Sequence, residues 1–158
     1  MKINYKKLEQ DSKSLAQKIE KGKYDAVYGI PAGGILPAFI ISKELDIPLV
    51  SEIEEGKNIL VVDDLVDSGD TILSLREEYG NFDVAVIYIK DVDGIGASLV
   101  EVYEKLIPNE WVDLPHEGLE LPIENNIIRI LEYYNQQITV EEVSSLNNLI
   151  KQRYEKTK

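Results

Sequence analysis

Apolar positions along the chain follow two rhythms, and the rhythms alternate. In residues 6–21, Leu8, Leu15 and Ile19 fall on one helical face with Ala16 beside them, and Lys and Glu stand opposite. That spacing predicts an amphipathic helix with Gly22 as its stop. Residues 25–30 form a short apolar run that suits a buried strand, and residues 31–34 (Pro-Ala-Gly-Gly) read as a loop. Residues 35–45 are apolar on most sides, which predicts a well-buried helix. Pro37 falls in its first turn, where proline is tolerated. Residues 47–50 read as a short strand at a sheet edge, because Pro48 cannot donate to a central ladder. A short acidic loop follows at 51–56. Residues 58–62 carry four consecutive aliphatic side chains, the signature of a parallel strand covered on both faces. A helix is predicted from about Thr71 to Tyr79, and strands at 84–89 and near 100–107.

Strands and helices in alternation predict an α/β fold: an open, mostly parallel sheet flanked by helices. Ligands of such sheets bind beyond the carboxyl ends of the strands. That rule selects residues 31–34, residues 63–71, and Lys90 onward. The chain after Leu119 differs in character. Residues 125–136 are amphipathic, and Thr139 with Glu142 has the form of a capping box ahead of Val143, Leu146, Leu149 and Ile150. Two helices are predicted there, so the expected division is a domain at 1–118 and a helical extension at 119–158.

Composition narrows the function classes. The chain has 158 residues, enough for one domain with a real core, and a net charge of −12. That charge argues against nucleic acid or an anionic membrane as a nonspecific partner. With no cysteine, a disulfide framework, a zinc-thiolate site and a Cys nucleophile are excluded. Neither a signal-peptide pattern nor an apolar run of about 20 residues is present, so a cytoplasmic protein is expected. The acidity is uneven. Residues 30–118 hold five basic and nineteen acidic residues, a net charge of −14.

The chemistry concentrates in residues 61–71, Val-Val-Asp-Asp-Leu-Val-Asp-Ser-Gly-Asp-Thr. An aliphatic strand delivers the adjacent carboxylates of Asp63 and Asp64. The loop then offers Asp67, Ser68, Gly69, Asp70 and Thr71 at the start of a helix. A helix N-terminus presents free N–H groups and a partial positive charge, which together hold a phosphate. Gly69 allows close backbone approach, and Ser68 and Thr71 add hydroxyl donors. Paired carboxylates accept from two sugar hydroxyls, or reach a magnesium ion through water. Lys90 at a strand end is equally at home as a solvated surface residue. Trp111, the sole Trp, is equally at home in a core. His116, the sole His, lies in a polar loop and reads as solvated.

This stretch resembles the phosphoribosyl-diphosphate-binding motif of the type I phosphoribosyltransferases. The order of parts is similar too: a helix, a strand running into GIPAGG, the motif, then IYIK, then EWVD. Within that family the chain is most similar to the short bacterial xanthine-guanine enzymes, over about residues 2–118. The resemblance implies that Asp63 and Asp64 hold the ribose hydroxyls, and that Asp64 also approaches Mg2+. Asp67 would be the acid/base group near the purine N7. Ser68, Gly69, Asp70 and Thr71 would form the 5′-phosphate loop, and Ala32, Gly33 and Gly34 the loop beneath the pyrophosphate. Lys90 matches the lysine that donates to the purine 6-oxo group. Trp111 and Val112 match the stacking aromatic and the carbonyl that reads the exocyclic amine.

The implied activity is transfer of ribose 5-phosphate from phosphoribosyl diphosphate to guanine, xanthine or hypoxanthine, in purine salvage, by a homo-oligomer. Four features depart from the family pattern. Ala32 stands where an arginine is usual, a contact of about 1.5–3 kcal/mol. Asp70 stands where a small residue is usual. Residues 51–57 replace a long mobile loop that closes over the site, and the extension after Leu119 is additional. These departures leave an alternative: a weak or inactive protein on the same fold that binds nucleotide or phosphoribosyl diphosphate as a sensor or partner-binding module.

Overall fold

A computed structural model describes residues 1–31, 33–90 and 93–115. Among these residues are five strands and four helices: α1 (Tyr5–Lys18), β1 (Ala26–Gly29), α2 (Ile35–Leu45), β2 (Leu49–Val50), β3 (Ile59–Val66), α3 (Asp70–Tyr79), β4 (Asp83–Lys90), α4 (Ile95–Leu99) and β5 (Val102–Ile107). The strands form one sheet in the order β2-β1-β3-β4-β5, and every neighbouring pair is parallel. The predicted open parallel sheet is therefore the observed one, with β2 at an edge directly after Pro48.

The aliphatic runs explain the core. Leu60, Val61 and Val62 of β3 and residues 84–89 of β4 are buried, because helices cover both faces of the central strands. α1 and α2 pack against each other on one face. On that face the Tyr88 hydroxyl donates to Asp11 of α1 at 2.6 Å, and Lys105 pairs with the same carboxylate at 3.1 Å. α4 lies on the other face, where Gly96 abuts the side chains of Ile89 and Val66. No helix among the described residues is long and apolar enough to cross a membrane.

Several boundaries differ from the sequence expectation. α1 stops at Lys18 rather than near residue 21, because Ile19 turns extended to bury its side chain and its N–H caps the Ala16 carbonyl. β2 is shorter than residues 47–50, although the Pro48 carbonyl still accepts from Val27. The main correction concerns β3. It does not end at Val62 but runs through both carboxylates to Val66, because β4 continues to pair with it at Leu65↔Tyr88 and Val66↔Ile89. Ladder bonds to a neighbour outweigh the weak strand preference of Asp. The sequence pattern does not predict α4; five residues after Gly94 carry too little periodicity. Ala32, His116, the capping box at Thr139 and the extension at 119–158 lie outside the described residues.

Candidate active site

The carboxyl ends of β1, β3 and β4 meet at one rim, and backbone geometry assembles it. β1 leaves the ladder at the Gly29↔Val62 pair, and the loop after it bends straight back. Ile30 donates to the Val62 carbonyl at 2.9 Å, and Gly34 donates to the Ile30 carbonyl at 2.8 Å. Gly34 then opens α2. A Cβ at Gly34 would stand 2.5 Å from the Val62 oxygen and 2.7 Å from Ile30 N and O. Only glycine permits this approach, which seats the Gly33-Gly34 loop beside the point where Asp63 emerges.

β3 then carries Asp63 and Asp64 on consecutive positions. Asp64 is 6% exposed. Its amide donates to Asp63 Oδ1 at 2.9 Å. Burial, with the neighbouring Asp64 charge, pushes the Asp63 carboxyl well above the usual carboxylate range. Such a pair stores repulsion that a cation or a set of sugar hydroxyls relieves.

The loop after β3 turns at Gly69, whose φ of +83° lies in the left-handed region that glycine adopts freely. Gly69 is the N-cap of α3, and its carbonyl accepts from Leu73 at 3.0 Å. Ser68 Oγ accepts from the Asp70 amide at 3.3 Å. Leu99 of α4 lies over Gly69, so the unpredicted helix packs against this loop. The rim holds a cavity of about 130 Å3 lined by Asp63, Leu65, Val66 and residues 67–72. Asp70 is among them and stands in the first turn of α3.

The structure brings two distant residues of the predicted set together. Lys90 ends β4, and its Nζ lies 3.1 Å from Asp67 Oδ2. The Lys90 side chain is 10% exposed and that of Asp67 60%. A nearly buried ammonium thus reaches the exposed carboxylate of the motif loop. Trp111 is not brought to this cavity. It is 76% exposed and faces a different concavity, with Lys2, Asn4 and Asp113 among its walls. Its indole N–H donates to Asp113 Oδ1 at 2.7 Å, and the chain start pins the segment through Ile3 N–H to the Asp113 carbonyl at 2.9 Å. Val112 is buried beside it.

The described residues include no cluster of three or more acidic or His side chains able to hold a metal unaided. A magnesium ion bound through one or two carboxylates and completed by substrate oxygens is compatible with Asp63 and Asp64.

Known proteins agree with the fold. The chain is 30% identical to a xanthine-guanine phosphoribosyltransferase of Cereibacter sphaeroides over 143 residues, covering 72% of this chain and 84% of that one. It is 29% identical to the protein of that name from Nitratidesulfovibrio vulgaris, covering 73% and 83%. Its backbone matches the crystal structure of a purine phosphoribosyltransferase from Pyrococcus horikoshii with a TM-score of 0.61 at 22% identity, over 75% of this chain and 95% of that one. No protein-family model matches the chain.

Proposed function

Because the chain belongs to the purine phosphoribosyltransferases of the type I fold, enzymes of the pentosyltransferase class, we propose that it transfers ribose 5-phosphate from phosphoribosyl diphosphate to a 6-oxopurine: guanine, xanthine or hypoxanthine. The observation that carries this reading is the Lys90–Asp67 contact at the motif cavity. It supports the reading that a cationic donor and an acid/base group serve one bound ring.

Displacement at the anomeric carbon passes through an oxocarbenium-like state, as in glycoside hydrolysis. Asp63 and Asp64 accept the ribose hydroxyls and place negative charge near that centre, where it stabilises the developing cation. The start of α3, with Ser68, Gly69 and Thr71, holds the 5′-phosphate through N–H and O–H donors. Gly33 and Gly34 form the loop beneath the pyrophosphate, where the Gly34 amide stays on the Ile30 carbonyl and Ala32 contributes no side-chain donor. Asp64 would hold Mg2+, which when bound would supply neutralising charge for the leaving pyrophosphate. Asp67 takes or returns a proton at the purine ring nitrogen. Lys90 donates and cannot accept while charged, so it selects a 6-oxo group over a 6-amino group. When the base enters, Lys90 exchanges Asp67 for the purine oxygen and frees the Asp67 carboxylate. Trp111 and Val112 are assigned to the base by resemblance alone. Residues 1–118 carry the transferase and 119–158 a helical extension; a homo-oligomer is the proposed assembly.

Incubation with each base, phosphoribosyl diphosphate and Mg2+ should yield the nucleoside monophosphate and pyrophosphate. Folded protein that turns over none of the three bases would overturn the proposal.

A further inference from the structure

A second concavity lies at the opposite end of the sheet, where β1, β3, β4 and β5 begin. It measures about 450 Å3, within the range of small-molecule sites. Its walls come from separate parts of the chain: Lys23 and Tyr24 before β1, Lys57 before β3, Arg76 on α3, Asp83 at the start of β4, and Glu101 before β5. Three cations from three elements therefore converge on one cavity, in a chain whose residues 30–118 carry −14.

Each cation has an acidic partner, and Arg76 Nη2 also donates to the Phe82 carbonyl at 3.2 Å. Lys23 Nζ lies 3.5 Å from Asp83 Oδ2, and Arg76 Nη2 lies 3.7 Å from Glu101 Oε1. Lys57 Nζ is 2.7 Å from Glu54, but both side chains are about half exposed. The two lysine pairs, whose ammonium side chains are about half exposed, contribute little and exchange readily. Aromatic rings orient two of the cations: Lys23 Nζ sits 5.6 Å from the Tyr24 centroid and the Arg76 guanidinium 5.5 Å from that of Phe82.

The acids keep partners of their own when the cations turn to a ligand. Asp83 Oδ2 accepts from the Tyr24 hydroxyl at 2.7 Å, and Glu101 accepts from the Val84 amide. A phosphate carries more charge than a carboxylate and more acceptor oxygens, so it competes for Lys23, Lys57 and Arg76. Asp83 and Glu101 have further lone pairs for sugar hydroxyls.

We propose that this cavity is a second small-molecule site, separate from the motif cavity, for a phosphorylated sugar or nucleotide. The probe is ribose 5-phosphate, titrated into the full chain while backbone amide shifts are followed by NMR at constant ionic strength. Two sets of shifts are expected with separate midpoints, one at residues 67–71 and one at residues 57–59 and 81–83. The double variant Lys23→Gln/Lys57→Gln should weaken the second set at least tenfold and leave the first, and turnover, unchanged. Shifts confined to residues 67–71 would overturn the proposal, as would a second set indifferent to the double variant or reproduced by chloride alone. Shifts confined to the second set would support this site while removing the phosphoribosyl reading of the motif.

Discussion

The Val62 carbonyl oxygen occupies the space where a side chain on Gly34 would begin, 2.5 Å from the ideal Cβ position. The neighbour is backbone in the centre of the sheet, so it cannot rotate away. The Gly33-Gly34 loop and the strand that carries Asp63 are thus locked together by the absence of one methyl group. Gly34→Ala should cost about 3 kcal/mol, the upper part of the overpacking range. For a chain of this size that lowers Tm by roughly 6–12 °C. Thermal unfolding checks it, and an unchanged Tm would mean that the loop is free to move off β3.

The Lys90–Asp67 pair separates two roles that kinetics can distinguish. Lys90→Met removes the donor for the 6-oxo group and leaves Asp67 solvated. A charge-assisted hydrogen bond of about 1.5–3 kcal/mol converts to a loss of about 10- to 150-fold, expected in kcat/KM for guanine. Asp67→Asn should instead lower kcat for every base, since it removes the proton acceptor and not the recognition contact. If both substitutions change only kcat by equal factors, Lys90 does not read the base.

Much of this site was legible in the chain because its information is local. The motif packs four carboxylates, two hydroxyls and a glycine into residues 63–71, and the aliphatic run before it fixes which end of the strand they occupy. What was not legible depended on partners distant in sequence. The extension of β3 to Val66 is decided by β4, and the packing of Leu99 over Gly69 by a five-residue helix that periodicity cannot detect. Trp111 matched a family position by type, but its exposure follows from pairing between residues 1–3 and 113. The amino-end cavity left no motif, since its walls are single residues spread from Lys23 to Glu101.

Asp63 should make stability depend on pH in the direction opposite to an ordinary paired carboxylate. Its folded carboxyl titrates well above the ordinary value of 3.8, because of burial and the Asp64 charge. The folded state therefore binds this proton more tightly than the unfolded state does. Stability is lost as pH rises from about 3.8 through the raised folded value, and the loss is complete above it. Asp63→Asn removes that penalty, so its Tm should exceed wild type by about 2–4 °C per kcal/mol relieved at neutral pH. The difference should vanish near pH 3, while phosphoribosyl transfer is lost. A variant less stable than wild type at neutral pH would show that the Asp63 charge is already compensated in the free protein.

Asp11 is the counter-case on the helical face. Burial alone would push its carboxyl up, but the Tyr88 hydroxyl, Lys105 and Lys7 outweigh burial and hold it below the usual range. This cluster ties α1 to β4 and β5, two residues before Lys90. Tyr88→Phe should cost about 1–2 kcal/mol through the lost hydrogen bond to a buried charged acceptor. The two lysines still neutralise Asp11, so the fold survives and transferase KM for the base should change less than twofold. A large rise in KM with little change in Tm would mean that Tyr88 positions Lys90 and does not merely anchor the helix.

The charge of the chain leads to the sharpest solution test of the proposed chemistry. Phosphoribosyl diphosphate is a polyanion, yet residues 30–118 offer only Lys43, Lys57, Arg76, Lys90 and Lys105 against nineteen acids. Of these, Lys57 and Arg76 line the cavity at the far end of the sheet, Lys105 is paired with Asp11, and Lys90 contacts Asp67. In the proposed reaction, binding would therefore rest on loop amides, the start of α3 and a divalent cation. Calorimetry should show phosphoribosyl diphosphate binding that weakens at least about tenfold when Mg2+ is removed, equivalent to the 1.4 kcal/mol of one lost charge-assisted contact. Asp70→Gly should strengthen binding at every Mg2+ concentration, because it removes like charge from the phosphate cradle. Tight binding in excess chelator, with no gain from Asp70→Gly, would show that the anion is held by groups other than those at the β3 rim.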